Sequence, residues 1–199
     1  MRIYQVKWGW EPPQYDYPNG NFRLFFANEK ITELQENINI RTNEKFVEEV
    51  SYWLCDVIEY EGDEAYEILR LLKEDEDSLE CNRWILKAKI KAYDKSRHVE
   101  DFTIGKEHLW LDSTLRGKVE ENLKTCERLG EKTTVLRFDG MIFPVTVEMG
   151  WNMYYSVLAY ARDSWNVTET HLSNADGLNS SEEMKAYNFK VCYPPKLEF

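Results

Sequence analysis

The sequence lacks the short motifs that mark several common classes of enzyme. Its 9 glycines are spread over 199 residues, and none of the close glycine spacings that cradle phosphate groups occurs. Neither the GxSxG motif of many serine hydrolases nor the HExxH motif of zinc proteases is present. These absences argue against nucleotide binding by a known loop and against two hydrolase classes. The sequence leaves enzymatic activity open and favours a protein without it.

Long apolar runs are also absent. No stretch approaches the roughly 18 uninterrupted apolar residues of a membrane-spanning helix, and the N-terminus MRIYQVKWGW lacks the pattern of a signal peptide. The cysteines are widely separated, form no CxxC pair and are expected to be reduced thiols: Cys55, Cys81, Cys126 and Cys192. We predict a cytoplasmic protein with no membrane partner.

Histidine is scarce, and its spacing does not favour a metal site. His98 and Glu100 would share a strand face, but no motif returns His108 to them. Cys55 lies beside Asp56, and a neighbouring carboxylate raises the pKa of a thiol, which disfavours a catalytic thiolate. We therefore predict no metal, no cofactor and no catalytic residue.

Strands are predicted at the N-terminus and in the middle of the chain. Residues 1–8 alternate between apolar and polar side chains, and residues 22–27 follow a turn at Pro18-Asn19-Gly20. Residues 28–43 are polar and weakly patterned, which indicates a loop that leaves room for a short turn or strand. Residues 83–93 also alternate, and residues 98–104 are interpreted as their hairpin partner.

Helical spacing of apolar residues predicts three helices, over residues 44–59, 63–73 and 113–129. Thr42 or Asn43 would cap the first of these helices. Asp112 or Ser113 would cap the third, and Gly130 stands where a left-handed residue commonly ends a helix.

The C-terminal part is predicted to contain an antiparallel meander. Its three strands would cover residues 133–138, 141–147 and 151–162, with Asp139-Gly140 as the tight turn between the first two. Residues 163–182 are rich in Asn, Ser and Thr and indicate a long loop. A turn of helix is expected near residues 181–186, and residues 187–193 are predicted to form a last strand.

These elements predict an α+β fold with a largely antiparallel sheet, a C-terminal meander and about three helices packed on it. The length suits one well-buried core, whereas two domains would each be small. We therefore predict a single domain over residues 1–199.

Acidic residues are concentrated in one part of the chain. The net charge is −11, and residues 41–80 hold 14 acidic against 4 basic side chains, whereas residues 81–100 hold 6 basic against 2 acidic ones. Such a surface repels nucleic acids and anionic lipids and attracts basic partners. The predicted partner-binding residues are Glu44, Glu48, Glu49, Asp56, Glu59, Asp63, Glu67, Glu74, Asp75, Glu76 and Asp77. Whether this face is exposed or folded against Lys87, Lys89 and Lys91 is left open by the sequence.

The sequence favours a non-enzymatic acidic protein that inhibits or neutralises a basic, nucleic-acid-acting partner protein. Small intracellular inhibitors, such as immunity proteins and phage counter-defence proteins, share this compact, acidic and aromatic-rich composition. Carboxylates spaced like phosphates would let the protein act as a nucleic-acid mimic. The protein itself is predicted not to bind nucleic acid. The alternative is an enzyme or small-molecule-binding protein with an aromatic-lined pocket, formed by Trp8, Trp10, Tyr154 and Trp165.

Overall fold

Antiparallel β-strands and five helices make up the part of the chain that the computed structural model describes, residues 1–138 and 140–199. The predicted α+β class is confirmed, with more helix than expected. The chain divides into two compact units. Unit 1 comprises Met1–His98 and Leu172–Phe189, and unit 2 comprises Val99–His171 and Lys190–Phe199. The single domain stays a prediction.

Unit 1 is built on a four-stranded antiparallel sheet in the order β1-β4-β3-β2. Its strands are β1 (Arg2–Trp8), β2 (Tyr15–Asp16), β3 (Phe22–Ile38) and β4 (Lys45–Tyr60). The strand predicted over residues 1–8 and the strand predicted to begin at Phe22 are both confirmed. The central pair, β3 and β4, forms the longest hairpin of the unit.

The helix predicted over residues 44–59 is wrong, because this segment is almost entirely strand β4. Its inner part pairs with β1 on one side and with β3 on the other, and Cys55 to Ile58 are buried without interruption. A strand that is covered on both faces shows no alternation, so its apolar residues also fit a helical wheel. Long-range pairing decides between the two conformations.

Residues 31–52 form a two-stranded ribbon that we call the arm. Strand β1 pairs with β4 only from Trp53 to Glu59, so β3 and β4 continue beyond it with only each other as partners. The loop predicted over residues 28–43 is therefore wrong as far as Ile38. Most side chains of the arm are exposed. Its sequence therefore lacks the apolar–polar alternation by which a half-buried strand is recognised.

Three helices belong to unit 1 in full: α1 (Gly62–Asp75), α2 (Leu79–Lys95) and α5 (Ser181–Ala186). The predicted helix 63–73 and the helical turn near 181–186 are confirmed. The strand predicted over residues 83–93 is wrong, because this segment lies within α2. Its Leu, Lys, Arg and Ala residues are good helix formers, and Ser78 Oγ caps the helix by accepting a bond from the Cys81 N–H.

The core of unit 1 lies between the sheet and the first two helices. Phe22 and Ile58 from the sheet, Ile68 from α1 and Ile90 from α2 are all fully buried. The Trp84 ring of α2 meets the Phe22 ring edge-on, with the ring centroids 5.9 Å apart. Aromatic contacts of this kind fix α2 on the sheet and so position the turn that precedes it.

Unit 2 contains two short antiparallel hairpins and two helices. The hairpins are β5 (Phe102–Ile104) with β6 (Glu107–Leu109), and β7 (Thr133–Phe138) with β8 (Met141–Thr146). The helices are α3 (Ser113–Leu129) and α4 (Val147–Gly177). Unit 2 includes α4 as far as His171.

The hairpin predicted from residue 133 is confirmed in its two strands, although Asp139 of its turn lies outside the described residues. The predicted partner for residues 98–104 is wrong, since β5 pairs with β6.

The long helix α4 replaces two other predictions. Residues 151–162 were expected to form a third meander strand and residues 163–182 a loop, yet both segments are helical as far as Gly177. The polar part of α4 is held by tertiary contacts, since Ser164, Thr168 and His171 are buried. Weak helix formers are tolerated where packing supplies the stability. Residues 187–193 form turns and bends rather than the predicted strand.

Gly130 provides a direct test of the predicted end of α3. Its φ of 69° and ψ of 19° are left-handed, and its N–H donates to carbonyl oxygens at the helix end. We expect Gly130→Ala to lower the free energy of unfolding by about 1 kcal/mol, as measured by urea denaturation. Gly117→Ala is the matched control within α3, because a Cβ there would meet no atom within 4 Å. The control should raise stability by about 0.5–1 kcal/mol, and a loss of stability in both variants would contradict this account.

Candidate partner-binding surface

Helix α1 and the turn that joins it to α2 carry a dense group of exposed carboxylates. Ala65, Ile68 and Leu71 are the buried residues of α1, so the opposite side of the helix faces solvent. The cap at Ser78 fixes where α2 begins and thereby ends the turn. We call the exposed carboxylates of α1, this turn and the first turn of α2 the acidic surface, namely Asp63, Glu64, Glu67, Glu74, Asp75, Glu76, Asp77 and Glu80.

Few cations offset this charge locally. Residues 59–80 contain ten acidic side chains but only two basic ones, Arg70 and Lys73. The Arg70 guanidinium contacts Glu67 and Glu74, with both N···O distances 2.6 Å. Its hydrogen bond holds the pKa of the Glu67 carboxyl below the usual value. Arg70, together with Lys185 on Asp77, leaves most of the carboxylates available to set a negative potential at the surface.

Six of the eleven predicted partner-binding residues lie together on this acidic surface: Asp63, Glu67, Glu74, Asp75, Glu76 and Asp77. The sequence prediction omitted Glu64 and Glu80, which share the exposure of their neighbours. The acidic composition of this stretch is enough to identify both residues from the sequence.

Three further predicted residues lie on or at the end of the arm instead. Glu48 and Glu49 belong to β4, and Glu44 lies in the connection from β3 to β4. Since a strand rises about 3.3 Å per residue, Glu48 and Glu59 are roughly 36 Å apart along β4. The helix that was expected to bring these carboxylates onto one face does not exist.

Asp56 and Glu59 have structural contacts within the sheet. Asp56 is 3% exposed, and its carboxylate accepts hydrogen bonds from Gln5 Nε2 at 3.0 Å and from the Arg97 N–H at 2.7 Å. Glu59 is half-buried and accepts a bond from Asn21 Nδ2 at 2.8 Å. Asp56 in particular lies inside the fold and is not part of the exposed acidic surface.

Two of the lysines considered as partners for the acidic residues have other contacts. Lys87 Nζ forms an ion pair with Asp176, and Lys89 Nζ donates to Gln14 Oε1 at 2.7 Å. Both contacts follow from α2 being a helix, since a strand would have aligned Lys87, Lys89 and Lys91 on one face. The acidic surface is exposed even though this basic segment lies next to it in the sequence.

A cleft of about 370 Å³ lies at the edge of the acidic surface. Its lining combines the exposed carboxylates Glu76 and Asp77 with polar and apolar side chains, most of them from α2, α5 and the segment after α5. Asn82 reaches this cleft although the residue is only 7% exposed. The lining residues are Gln14, Tyr15, Glu76, Asp77, Asn82, Ile85, Leu86, Lys89, Met184, Lys185, Tyr187 and Phe189.

Tyr15 connects the cleft to the acidic surface. Its hydroxyl donates a hydrogen bond to Glu76 Oε1, and its ring packs beside Leu71, Cys81 and Ile85. Burial, followed by the bond to Glu76, raises the pKa of the Tyr15 hydroxyl. The phenol therefore remains a protonated donor at neutral pH and orients the Glu76 carboxylate.

The residues weighed as metal ligands or as a nucleophile are engaged elsewhere. The His98 ring stacks on Tyr93, His108 Nδ1 bonds the Asp101 carboxylate, and His171 Nε2 contacts the Val191 carbonyl. Within residues 1–138 and 140–199, no group of three or more His, Cys, Asp or Glu side chains is arranged to hold a metal ion. Cys55 is buried, and burial raises the pKa of its thiol.

The aromatic residues proposed for the alternative pocket are distributed over both units. Trp8 and Trp10 belong to unit 1 and contact each other edge-on at a centroid distance of 5.7 Å. Tyr154 and Trp165 belong to α4 in unit 2. The cleft described above instead uses Tyr15, Tyr187 and Phe189, none of which the sequence indicated as wall residues.

Two general findings complete the description of this surface. None of the helices in the described part of the chain is long and apolar enough to span a membrane. Comparison with protein-family models, with curated proteins and with solved structures finds no match to this chain.

Proposed function

We propose that this protein is a non-enzymatic acidic binding protein that inhibits or neutralises a basic partner through the acidic surface of α1 and the α1–α2 turn. The observation that carries the proposal is the concentration of charge, with ten acidic against two basic side chains in residues 59–80. Eight of these carboxylates are exposed on α1, the adjacent turn and the first turn of α2. A partner with a complementary basic patch would be steered toward this surface, in a manner that weakens with salt.

The partner class follows from the same chemistry. Proteins that act on nucleic acids carry clustered Lys and Arg side chains for phosphate contacts. An acidic surface that covers such a cluster would block access of the nucleic acid, as a mimic of the phosphate backbone does. The proposal is therefore inhibition of a nucleic-acid-acting protein by occupation of its basic groove, of the immunity or phage counter-defence type.

Charge reversal tests the proposal. We expect Glu74→Lys/Asp75→Lys to weaken binding of the basic partner about tenfold at low salt, because two attractions become repulsions. The full chain would be used to capture proteins from a lysate of the source cell, at low and at high salt. The retained basic protein would then be purified, and its activity on nucleic acid measured with and without this chain.

The matched control reverses the same number of charges in unit 2. Glu121→Lys/Glu131→Lys alters two exposed carboxylates of α3 and the segment after it, so the net charge of the chain changes equally. Lysine near the C-terminal end of α1 is compatible with the helix dipole, so the test variant should remain folded. Equal retention of the partner by both variants, or no effect of the wild-type chain on the partner's activity, would contradict the proposal.

A further inference from the structure

One face of the arm carries large apolar side chains that are exposed to solvent. Successive side chains of a strand point to opposite faces, and the register of β3 with β4 places eight residues of the arm on the same side. All eight are exposed, and we call this side the outer face of the arm: Thr32, Leu34, Glu36, Ile38, Lys45, Val47, Glu49 and Ser51. The opposite face includes Tyr52, which is only 7% exposed.

Three apolar side chains form a diagonal row across the outer face. Leu34, Val47 and Ile38 are 73%, 59% and 55% exposed. Val47 lies opposite Glu36 in the ladder, so its diagonal neighbours on β3 are Leu34 and Ile38, at distances of roughly 7–8 Å. An exposed apolar row that is bordered by polar residues is typical of a surface that contacts another protein.

Two opposite charges lie at the two ends of the same row. Lys45 is opposite Ile38, and Glu49 is opposite Leu34. The two charged residues are four positions apart on β4, which is roughly 13 Å along the strand, so they cannot pair with each other. Among the side chains that the structure describes, none forms an ion pair with either residue.

A second copy of the chain would pair both charges. Two ribbons can pack face to face about a two-fold axis that runs across the strands, and each strand then faces its own equivalent in the opposite direction. With this axis beside Val47, Lys45 of each copy faces Glu49 of the other. The contact occurs twice because the interface is isologous.

The apolar row is also self-complementary in this register. Ile38 faces Leu34 of the second copy, again twice, and Val47 faces its own equivalent. Glu36 faces its equivalent as well, but β3 has an open edge along the arm, so this carboxylate can remain in solvent. A basic partner would pair with Glu36 and Glu49 and would leave Lys45 against a like charge, which favours a second copy as the occupant of this face.

We propose that the protein self-associates through the outer face of the arm, as an antiparallel stack of two arms with Lys45–Glu49 pairs on either side of an apolar centre. The inference goes beyond the proposed function, because it concerns a second copy of the chain and not the basic partner. The acidic surface of α1 and the α1–α2 turn takes no part in the contact.

The contact is small, so the dimer is expected to be weak. The outer face supplies eight residues a side, compared with about 20–30 in a standard stable interface. The net charge of −11 on each chain opposes association, but salt at about 0.15 M limits this repulsion to a range of about 8 Å. We expect a dissociation constant of roughly 10–100 µM.

The measurement is analytical ultracentrifugation of the full chain at about 5–500 µM, a range that brackets the expected dissociation constant. Lys45→Glu and Glu49→Lys should each weaken the dimer at least tenfold, because the two-fold axis turns both attractive pairs into repulsive ones. An equimolar mixture of the two variants should associate as the wild-type chain does. One variant then carries only acidic side chains at the two positions and the other only basic ones, so both pairs are restored.

Glu48→Lys is the matched control. It changes the net charge as Glu49→Lys does, but residue 48 lies on the opposite face of the same strand. This control should dimerise as the wild-type chain does, and its mixture with Lys45→Glu should not regain the association of the wild-type chain. Recovery that is specific to the Glu49→Lys mixture also shows that both single variants are folded.

Four outcomes would overturn the inference. A wild-type chain that stays monomeric over the whole range excludes the dimer and leaves the outer face to another partner. Association that is unchanged in both single variants places the contact elsewhere on the chain. A mixture that remains monomeric excludes the facing of Lys45 and Glu49, and an equal loss with Glu48→Lys assigns the effect to net charge. None of these outcomes bears on the charge reversal in α1, so failure of the dimer and failure of the proposed function are separable.

Discussion

Truncation of Phe22 to alanine is expected to lower the free energy of unfolding by about 3–5 kcal/mol. Phe22 is fully buried, and its ring contacts Tyr15, Tyr60 and Trp84 at centroid distances of 5.4, 6.3 and 5.9 Å. Alanine would leave a cavity between the sheet and α2 that close-packed neighbours can only partly fill. Urea denaturation followed by far-UV circular dichroism measures the loss.

A matched truncation in unit 2 turns this experiment into a test of the predicted single domain. Leu123 of α3 is fully buried, and Leu123→Ala should cost about 2–5 kcal/mol. If the whole chain unfolds cooperatively, both variants shift one common transition. A second transition that responds to Leu123→Ala and not to Phe22→Ala would contradict a single domain. An effect of Phe22→Ala below about 1 kcal/mol would contradict the packing described for unit 1.

Elements with strong local signals were predictable from the sequence. Helix α3 has a capping Asp112, a regular apolar stripe and a left-handed Gly130, and the structure contains each of these features. The strands of the β7–β8 hairpin and strand β1 also agree with their patterns. In these segments, local propensity and tertiary structure favour the same conformation.

The wrong predictions for β4 and α2 have a common cause, which is that the apolar pattern fitted two periods. Strand β4 is central and buried on both faces, so its residues matched a helical stripe as well as a strand. Helix α2 buries a broad face that includes Ile85, Leu86, Ala88 and Ile90, and alternate members of this set imitate a strand. Only pairing between distant parts of the chain separates these alternatives, and that pairing has no local signal.

The candidate site was predictable as charge but not as geometry. The run from Glu74 to Asp77 was evident in the sequence, and the structure places it in and after the last turn of α1. The cleft, however, depends on Lys185 meeting Asp77 and on Ser181 meeting Asn82, which are contacts across about a hundred positions of sequence. No spacing rule for short motifs can indicate contacts of this range.

Asp56→Ala is expected to lower the free energy of unfolding by about 2–3 kcal/mol. The Asp56 carboxylate is 3% exposed and joins β4 to Gln5 of β1 and to the Arg97 N–H after α2. Alanine would remove the acceptor of both donors, and a buried N–H without a partner is costly. Thermal and urea denaturation would measure the loss. If Asp56 instead served a partner, its removal would weaken binding and leave the free protein as stable as before.

Glu48→Ala is the matched control, since it removes a carboxylate of the same strand that lies on the exposed arm. Its Oε1 accepts one bond from Asn37 Nδ2 at 2.6 Å, between exposed side chains, so the stability change should stay within about 0.5 kcal/mol. A large loss for Asp56→Ala beside a small one for Glu48→Ala would show that burial along β4 separates structural from exposed carboxylates. Equal and small losses would return Asp56 to the candidate binding residues and contradict the role assigned to it in the sheet.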